Sequence, residues 1–143
     1  MQQRHGRHGK EGTCPAGAEP AFSQDPELAD EAAVPVGAAT MDQKYEGEVA
    51  GRSATLFTAA FNQSTATGTY VAMESFEGTL HGREGCCNFA HSATTAGPSR
   101  EDELVVIVPG SGTSQLAGTA GTGGITVDSD GTHRIRFDYE LDQ

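Results

Sequence analysis

The chain has no tryptophan, three cysteines, nine aromatic residues (six Phe, three Tyr) and no long apolar run in 143 residues. Each shortage excludes something. Without tryptophan, a core has to be built from small residues and a few rings. Cys14, Cys86 and Cys87 are too few for a disulfide framework. Adjacent Cys86 and Cys87 point to opposite faces of a strand, so two ordinary thiols are the plain reading and a vicinal disulfide or metal pair the sharper one. Free thiols fit a reducing, cytoplasmic setting. Basic residues are scarce too, nine against twenty acidic, for a formal charge of −11. Nucleic acid and anionic membrane surfaces need basic patches, so neither is expected as a partner. No apolar stretch approaches the roughly 18 residues of a spanning helix. The basic residues from Arg4 to Lys10 have no apolar segment behind them, unlike a secretory signal.

Glycine is abundant, at 19 residues, which suits a turn-rich β protein or a partly disordered one. Residues 1–38 show no hydrophobic period and are rich in Pro, Ala, Gly and charge, a composition that favours a disordered or irregular tail. His5 and His8 on such a tail make a poor metal site, and Pro26–Ala33 is the one place for a short helix. From residue 39 to 143 the pattern is β. Met41, Gln43, Tyr45, Gly47 and Val49 alternate with charged residues, and Thr55, Phe57, Ala59 and Phe61 share a face of the next strand. Leu104–Val108 is continuously apolar, as in a strand covered on both faces. The last strand turns His133, Ile135, Phe137, Tyr139 and Leu141 one way and Arg134, Arg136, Asp138 and Glu140 the other.

Thr69 to Ser92 reads as a hairpin, two stretches of β-formers around a glycine turn. Part of it repeats. Tyr45-Glu46-Gly47-Glu48-Val49-Ala50-Gly51-Arg52 and Phe76-Glu77-Gly78-Thr79-Leu80-His81-Gly82-Arg83 share one pattern 31 residues apart, and Leu116-Ala117-Gly118 echoes its core. Successive hairpins form a meander, and a meander of seven or eight strands tends to close because closure removes both edges. The fold expected is all-β, a small antiparallel up-and-down β-barrel.

Gly68-Thr69-Tyr70-Val71-Ala72-Met73-Glu74, Gly78-Thr79-Leu80-His81-Gly82-Arg83, Phe89-Ala90-His91-Ser92, Val106 to Thr113, Leu116-Ala117-Gly118 and Gly131-Thr132-His133 through Leu141 together resemble a bacterial family of unknown function with an allene oxide cyclase-like barrel. The resemblance covers about residues 39 to 141. It implies a compact, oligomeric barrel with a hydrophobic lumen, and barrels of that shape guide cyclisation of reactive polyenes without a cofactor. Two places depart from the family's pattern. Its additional N-terminal strand has no apolar counterpart in residues 1–38, leaving an edge for the tail or another subunit to cover. Its serine-rich turn is here Glu84-Gly85-Cys86-Cys87.

A hairpin turn centred on Gly82 and Arg83 sets Glu74 opposite His91 and Phe76 opposite Phe89; a longer loop shifts partners by two and keeps the faces. One carboxylate and one imidazole then share an apolar wall. A buried carboxylate is costly unless paired, and such a pair can act as a general acid–base couple. The bland reading is that Glu74 and His91 satisfy each other and hold the barrel shut. Tyr70, Phe76, Phe89, His133, Phe137 and Tyr139 are the residues expected to line a ligand. Gly110-Ser111-Gly112-Thr113 has no following Lys or helix, which argues against a phosphate loop, and Gly118 to Gly124 matches a dinucleotide loop only in glycine content. No Cys/His spacing supports zinc. The expected function is binding of a small hydrophobic metabolite in the lumen, with cofactor-free isomerisation or cyclisation by Glu74 and His91. A non-catalytic carrier or sensor and a purely structural homo-oligomer are the alternatives.

Overall fold

A computed structural model describes residues 8–14, 23–24 and 33–141 of the protein. Seven long strands follow one another up and down: β3 (Val36–Gly47), β4 (Val49–Asn62), β5 (Thr67–Leu80), β6 (Arg83–Ala96), β7 (Ser99–Ile107), β8 (Thr119–Val127) and β9 (His133–Leu141). Each is antiparallel to the next, and the sheet curls into a half-barrel. Two shorter strands precede them, β1 (His8–Cys14) and β2 (Ser23–Gln24). β1 pairs along its length with β9 and, through Gly12 and Thr13, with β3, so both edges of the seven-stranded sheet meet the same strand. β2 lies on β3. The architecture is the small antiparallel up-and-down barrel expected from the sequence.

The first 38 residues were expected to be a tail, yet β1, β2 and the start of β3 lie within them. β1 joins the sheet through backbone N–H and C=O groups, which a hydrophobic pattern does not report. The strand absent from the sequence pattern is therefore present, and it takes the exposed edge. His5 and all but the last residue of Pro26–Ala33 fall outside the described residues.

The β5–β6 hairpin turns at His81-Gly82, not Gly82-Arg83. Both residues have positive φ, 52° and 76°, and Leu80 pairs with Arg83 across a two-residue loop. Positive φ at both central positions is the geometry whose twist matches the flanking strands. Glu74 accordingly faces Phe89, Ala72 faces His91, and Phe76 faces Cys87. The shift is by two, so every residue keeps its face. The repeat does not hold as three equivalent hairpins: its first copy turns at Gly47, where β3 ends, its second at His81-Gly82, and its third is the 3-10 turn Ser114–Leu116. What the copies share is the inward side chains, Tyr45 with Phe76, and Val49 with Leu80 and Leu116, all buried.

Glycines set the curvature at that end. Gly51, Gly78 and Gly85 are cross-strand partners on β4, β5 and β6. A Cβ on Gly78 would lie 2.1 Å from the Ala50 carbonyl oxygen, so the backbones approach closer than any side chain permits. Tyr45, paired with Gly51, fills the space beside this bare row. The glycine-rich stretch from 118 to 124 is likewise no loop but mostly β8, where Gly121 and Gly123 face Tyr139 and Phe137 on β9. The Gly110–Thr113 segment extends the wall where β7 stops. Val108 N–H donates to the Asn88 carbonyl (2.9 Å) and Thr113 N–H to that of Cys86 (2.9 Å).

Phe76, Phe89 and Phe137 pack with Tyr45, Leu80, Ile107, Leu116, Ile135 and Tyr139 in one core. Phe89 meets Phe137 edge-on with centroids 5.0 Å apart. Burying each such ring stabilises the fold by roughly 1.5–3 kcal/mol. The apolar run Leu104–Val108 is covered on one face only: Val105 and Ile107 are buried, whereas Leu104 is 53% exposed on the convex side. Its apolar residues reflect an uncharged outer surface rather than a second packed layer.

Candidate functional site

Along the inner face of β5, Tyr70, Ala72 and Glu74 succeed one another at every second position, the strand period that puts them on one side. His91 on β6 lies directly across from the middle one, Ala72. Alanine leaves room for the imidazole to reach diagonally both ways. His91 Nε2 sits 2.5 Å from Glu74 Oε2, and His91 Nδ1 sits 2.9 Å from the Tyr70 hydroxyl. Glu74 is fully buried and His91 nearly so.

The chain of contacts runs on at both ends. Inward, the Tyr45 hydroxyl donates to Glu74 Oε1 at 2.7 Å. The same hydroxyl lies 2.7 Å from Gln43 Oε1, whose amide nitrogen donates to Met41 Sδ at 3.1 Å, so its one proton is shared between two acceptors. Outward, Arg100 Nη2 donates to the Tyr70 oxygen at 2.7 Å, and Arg100 Nε donates to Glu103 Oε2 at 3.0 Å. Glu103 Oε1 accepts the Ile125 backbone N–H at 2.8 Å. With Arg100 donating to its oxygen, Tyr70 gives its proton to His91 Nδ1, which leaves Nε2–H to donate to the Glu74 carboxylate. Every donor in the run Tyr45–Glu74–His91–Tyr70 then has an acceptor.

Arg100 and Glu103 reach this face through a bulge. β6 and β7 are in register from Phe89↔Ile107 to Ser92↔Leu104, and resume one residue displaced at Thr94↔Glu101. The extra residue on β7 coincides with Asp102, at φ 53°. A single inserted residue reverses strand parity, so Arg100 and Glu103 both turn toward the interior although three positions separate them. β7 and β8 pair only at Val106↔Thr122 and Ile107↔Gly121. Beyond that the wall parts, and the Glu103 carboxylate takes the Ile125 N–H that a longer ladder would have satisfied.

The electrostatics follow from this placement. Burial raises the Tyr70 phenol above its ordinary value, against the lowering effect of the Arg100 hydrogen bond and charge. Burial works against the Arg100 cation, and its contacts with Tyr70 and Glu103 outweigh it, so its pKa is raised. His133 is held low by burial, and then by the charges of Arg100 and His91. Cys87, buried beneath Phe76, is pushed up to about 11, first by burial and then by Cys86.

The residues singled out in the sequence separate into two groups. Glu74, His91 and Tyr70 come together. Phe76, Phe89, Phe137 and Tyr139 are core side chains at most 2% exposed, behind the network, and His133 stands at the rim, partly in water and partly withdrawn from it. Tyr45, Gln43, Phe57, Arg100 and Glu103 complete the site. Tyr45 could have been found from its alternation; Phe57, stacked on Tyr70 with centroids 5.0 Å apart, was already on the inner face. Arg100 and Glu103 carried no signal, because the bulge that aims them leaves none in the pattern. Among the described residues no three of His, Cys, Asp and Glu gather as a metal set, and no helix is long and apolar enough to cross a membrane.

No curated protein matches the chain. Among solved structures, a crystal structure of a protein of unknown function from Shewanella oneidensis MR-1, of the DUF3224 family, superposes with a TM-score of 0.74 at 22% identity, covering 98% of this chain and 99% of that one. That likeness carries the fold. The family model described as protein of unknown function (DUF3224) matches residues 20–139, and by that match the chain belongs to the DUF3224 family.

Proposed function

We propose that the barrel binds a small hydrophobic molecule at the open end of its inner face and isomerises or cyclises it without a cofactor. The observation that carries this reading is the unbroken hydrogen-bonded chain from sealed Glu74 to half-exposed Tyr70. Glu74 is beyond a ligand's reach, so Tyr70 is the group that meets it. A proton accepted by the Tyr70 oxygen passes on as the Tyr70 proton moves to His91 Nδ1, and the Glu74 carboxylate stabilises the imidazolium formed. Return of the proton to a different atom of the ligand completes an isomerisation, with no net gain or loss of electrons. The wall holds the ligand near its reactive shape, which lowers the entropic part of the barrier. The allene oxide cyclase-like barrels that the sequence resembles guide cyclisation of reactive polyenes without a cofactor.

A second reading, a carrier or sensor that turns nothing over, is favoured by the complete satisfaction of Glu74, whose two oxygens already have Tyr45 and His91. Native mass spectrometry of the purified protein tests binding by revealing a co-purified small molecule. With that molecule in hand, Tyr70→Phe and His91→Ala are each expected to lower turnover at least a hundredfold while binding survives. Turnover that persists in both variants rules out the proton chain and leaves the carrier.

The partner proposed for the outer face is a second copy of this chain. Leu56 and Met73 are direct cross-strand neighbours there, flanked by Val71 and Leu104, all exposed.

A further inference from the structure

The inner face of β4 carries two short polar side chains in succession, Ser53 and Thr55, which are 3% and 2% exposed. Neither hydroxyl has a hydrogen-bond partner among the described residues. A buried hydroxyl left in that condition costs free energy that a methyl group in its place would not.

Both sit in a polar group drawn from neighbouring strands. Ser53 faces Gln43 on β3, and Thr55 faces Glu74 on β5. Directly opposed side chains have Cβ atoms roughly 4.5–5.5 Å apart, so each hydroxyl starts beside a longer side chain able to overhang it. Tyr45 completes the overhang. It reaches from β3 across β4, with its hydroxyl 2.7 Å from Gln43 Oε1 and 2.7 Å from Glu74 Oε1. These oxygens form an arch over the strand that bears Ser53 and Thr55. Met41, level with Thr55, and Phe76, level with Ser53, close its flanks. Short side chains between long ones leave a recess over β4.

The arch is short of donors. When the Tyr45 proton goes to Glu74, Gln43 Oε1 has none, because the Gln43 amide nitrogen is turned to Met41 Sδ. Glu74 Oε1 has a second lone pair. Beneath lie two O–H groups with nothing to donate to, and no hydrogen bond joins the two layers. One water molecule matches both. It accepts from Ser53 and Thr55 and donates to Gln43 Oε1 and Glu74 Oε1, which fills its hydrogen-bonding capacity.

We infer that the recess under Tyr45 is a water-binding site, and that one ordered water there ties β4 to the Glu74 carboxylate. The carboxylate that meets His91 is then braced from β4 as well as from Tyr45 on β3. The side chains that seal Glu74 from solvent seal this water too.

The test is the sign of a substitution. Thr55→Val keeps the shape, removes the hydroxyl, and suits a buried strand position better in both apolarity and strand preference. An unpartnered hydroxyl therefore makes the variant more stable than the wild type. A bound water makes it less stable, and the folding equilibrium constant from urea denaturation is expected to fall about fivefold. Ser53→Ala should act in the same direction. The double variant Ser53→Ala/Thr55→Val should lose less than the product of the two single effects, because one shared water is lost only once. A high-resolution crystal structure should show that water within hydrogen-bond distance of both hydroxyls in the wild type, and none in the double variant. Stabilisation by Thr55→Val, independent effects of the two substitutions, or a wild-type crystal with no water between the hydroxyls overturns the site.

Discussion

His91 is gripped from two directions by residues two places either side of its own cross-strand partner, and its loss therefore has a distinct cost. His91→Ala leaves the Glu74 carboxylate fully buried with Tyr45 alone, and removing one partner of a buried pair costs about 3–5 kcal/mol. Glu74→Gln keeps the shape and a hydrogen-bonding oxygen, and should cost about 1–2 kcal/mol. Urea denaturation of the two variants measures the difference; equal costs would mean that the carboxylate does not depend on the imidazole. Three other groups share an alkaline signature. Cys87 is raised to about 11 from 9.0, and Tyr70 and Tyr139 are raised above 10.0, in every case chiefly by burial. A raised folded value means that the unfolded chain loses its protons first. Their contribution is whole below pH 9 and drains away as pH rises, beginning with Cys87 between 9 and about 11. Two units correspond to roughly 2–3 kcal/mol. Cys87→Ala should lower stability at neutral pH and flatten its decline over that window.

At the scale of the elements, the turns and close approaches make the sharpest demands. Gly82 has φ 76° and open space around it, so Gly82→Ala meets only backbone strain and should cost about 1 kcal/mol. Gly78→Ala instead drives a methyl into the Ala50 carbonyl, and should cost several times more in the same denaturation measurement; a similar cost for both would show that β4 and β5 can separate locally. These elements also show what was legible beforehand. The faces of β5 and β6 could be read because side-chain period survives an even slip, so Glu74 and His91 were placed together although the turn was set one residue late. The same parity argument failed on β7, where one residue at Asp102 inverts it and brings Arg100 and Glu103 inside unannounced. β1 was invisible for another reason: its pairing with β9 and β3 is a backbone matter, and His8–Cys14 has no alternation to betray it. The repeat misled in one respect, because shared inward side chains looked like shared turns.

For the whole molecule, the acidity that argues against nucleic acid also constrains any self-association, since two copies at −11 each repel. The outer face offers one place where they need not. The rung Thr40, Leu56, Met73, Ala90 and Val106 and the next, Ala38, Thr58, Val71, Ser92 and Leu104, hold no charged residue across five strands. Four of these side chains are large, apolar and 45–66% exposed. The exposed apolar side chains of this convex face can meet those of a second copy, and burial supplies roughly 25 cal/mol for each Å² covered. An interface of this kind differs from one held by ion pairs in its response to salt. Screening weakens the repulsion between the two acidic bodies and leaves the apolar contact intact. The dimer population measured by light scattering should therefore rise with ionic strength, and Leu56→Lys or Met73→Lys should reduce it at least tenfold, each without loss of folded monomer. A wild-type chain that stays monomeric at high salt, or a dimer indifferent to both lysines, would remove the outer face as the contact, because these two side chains lie side by side at its centre.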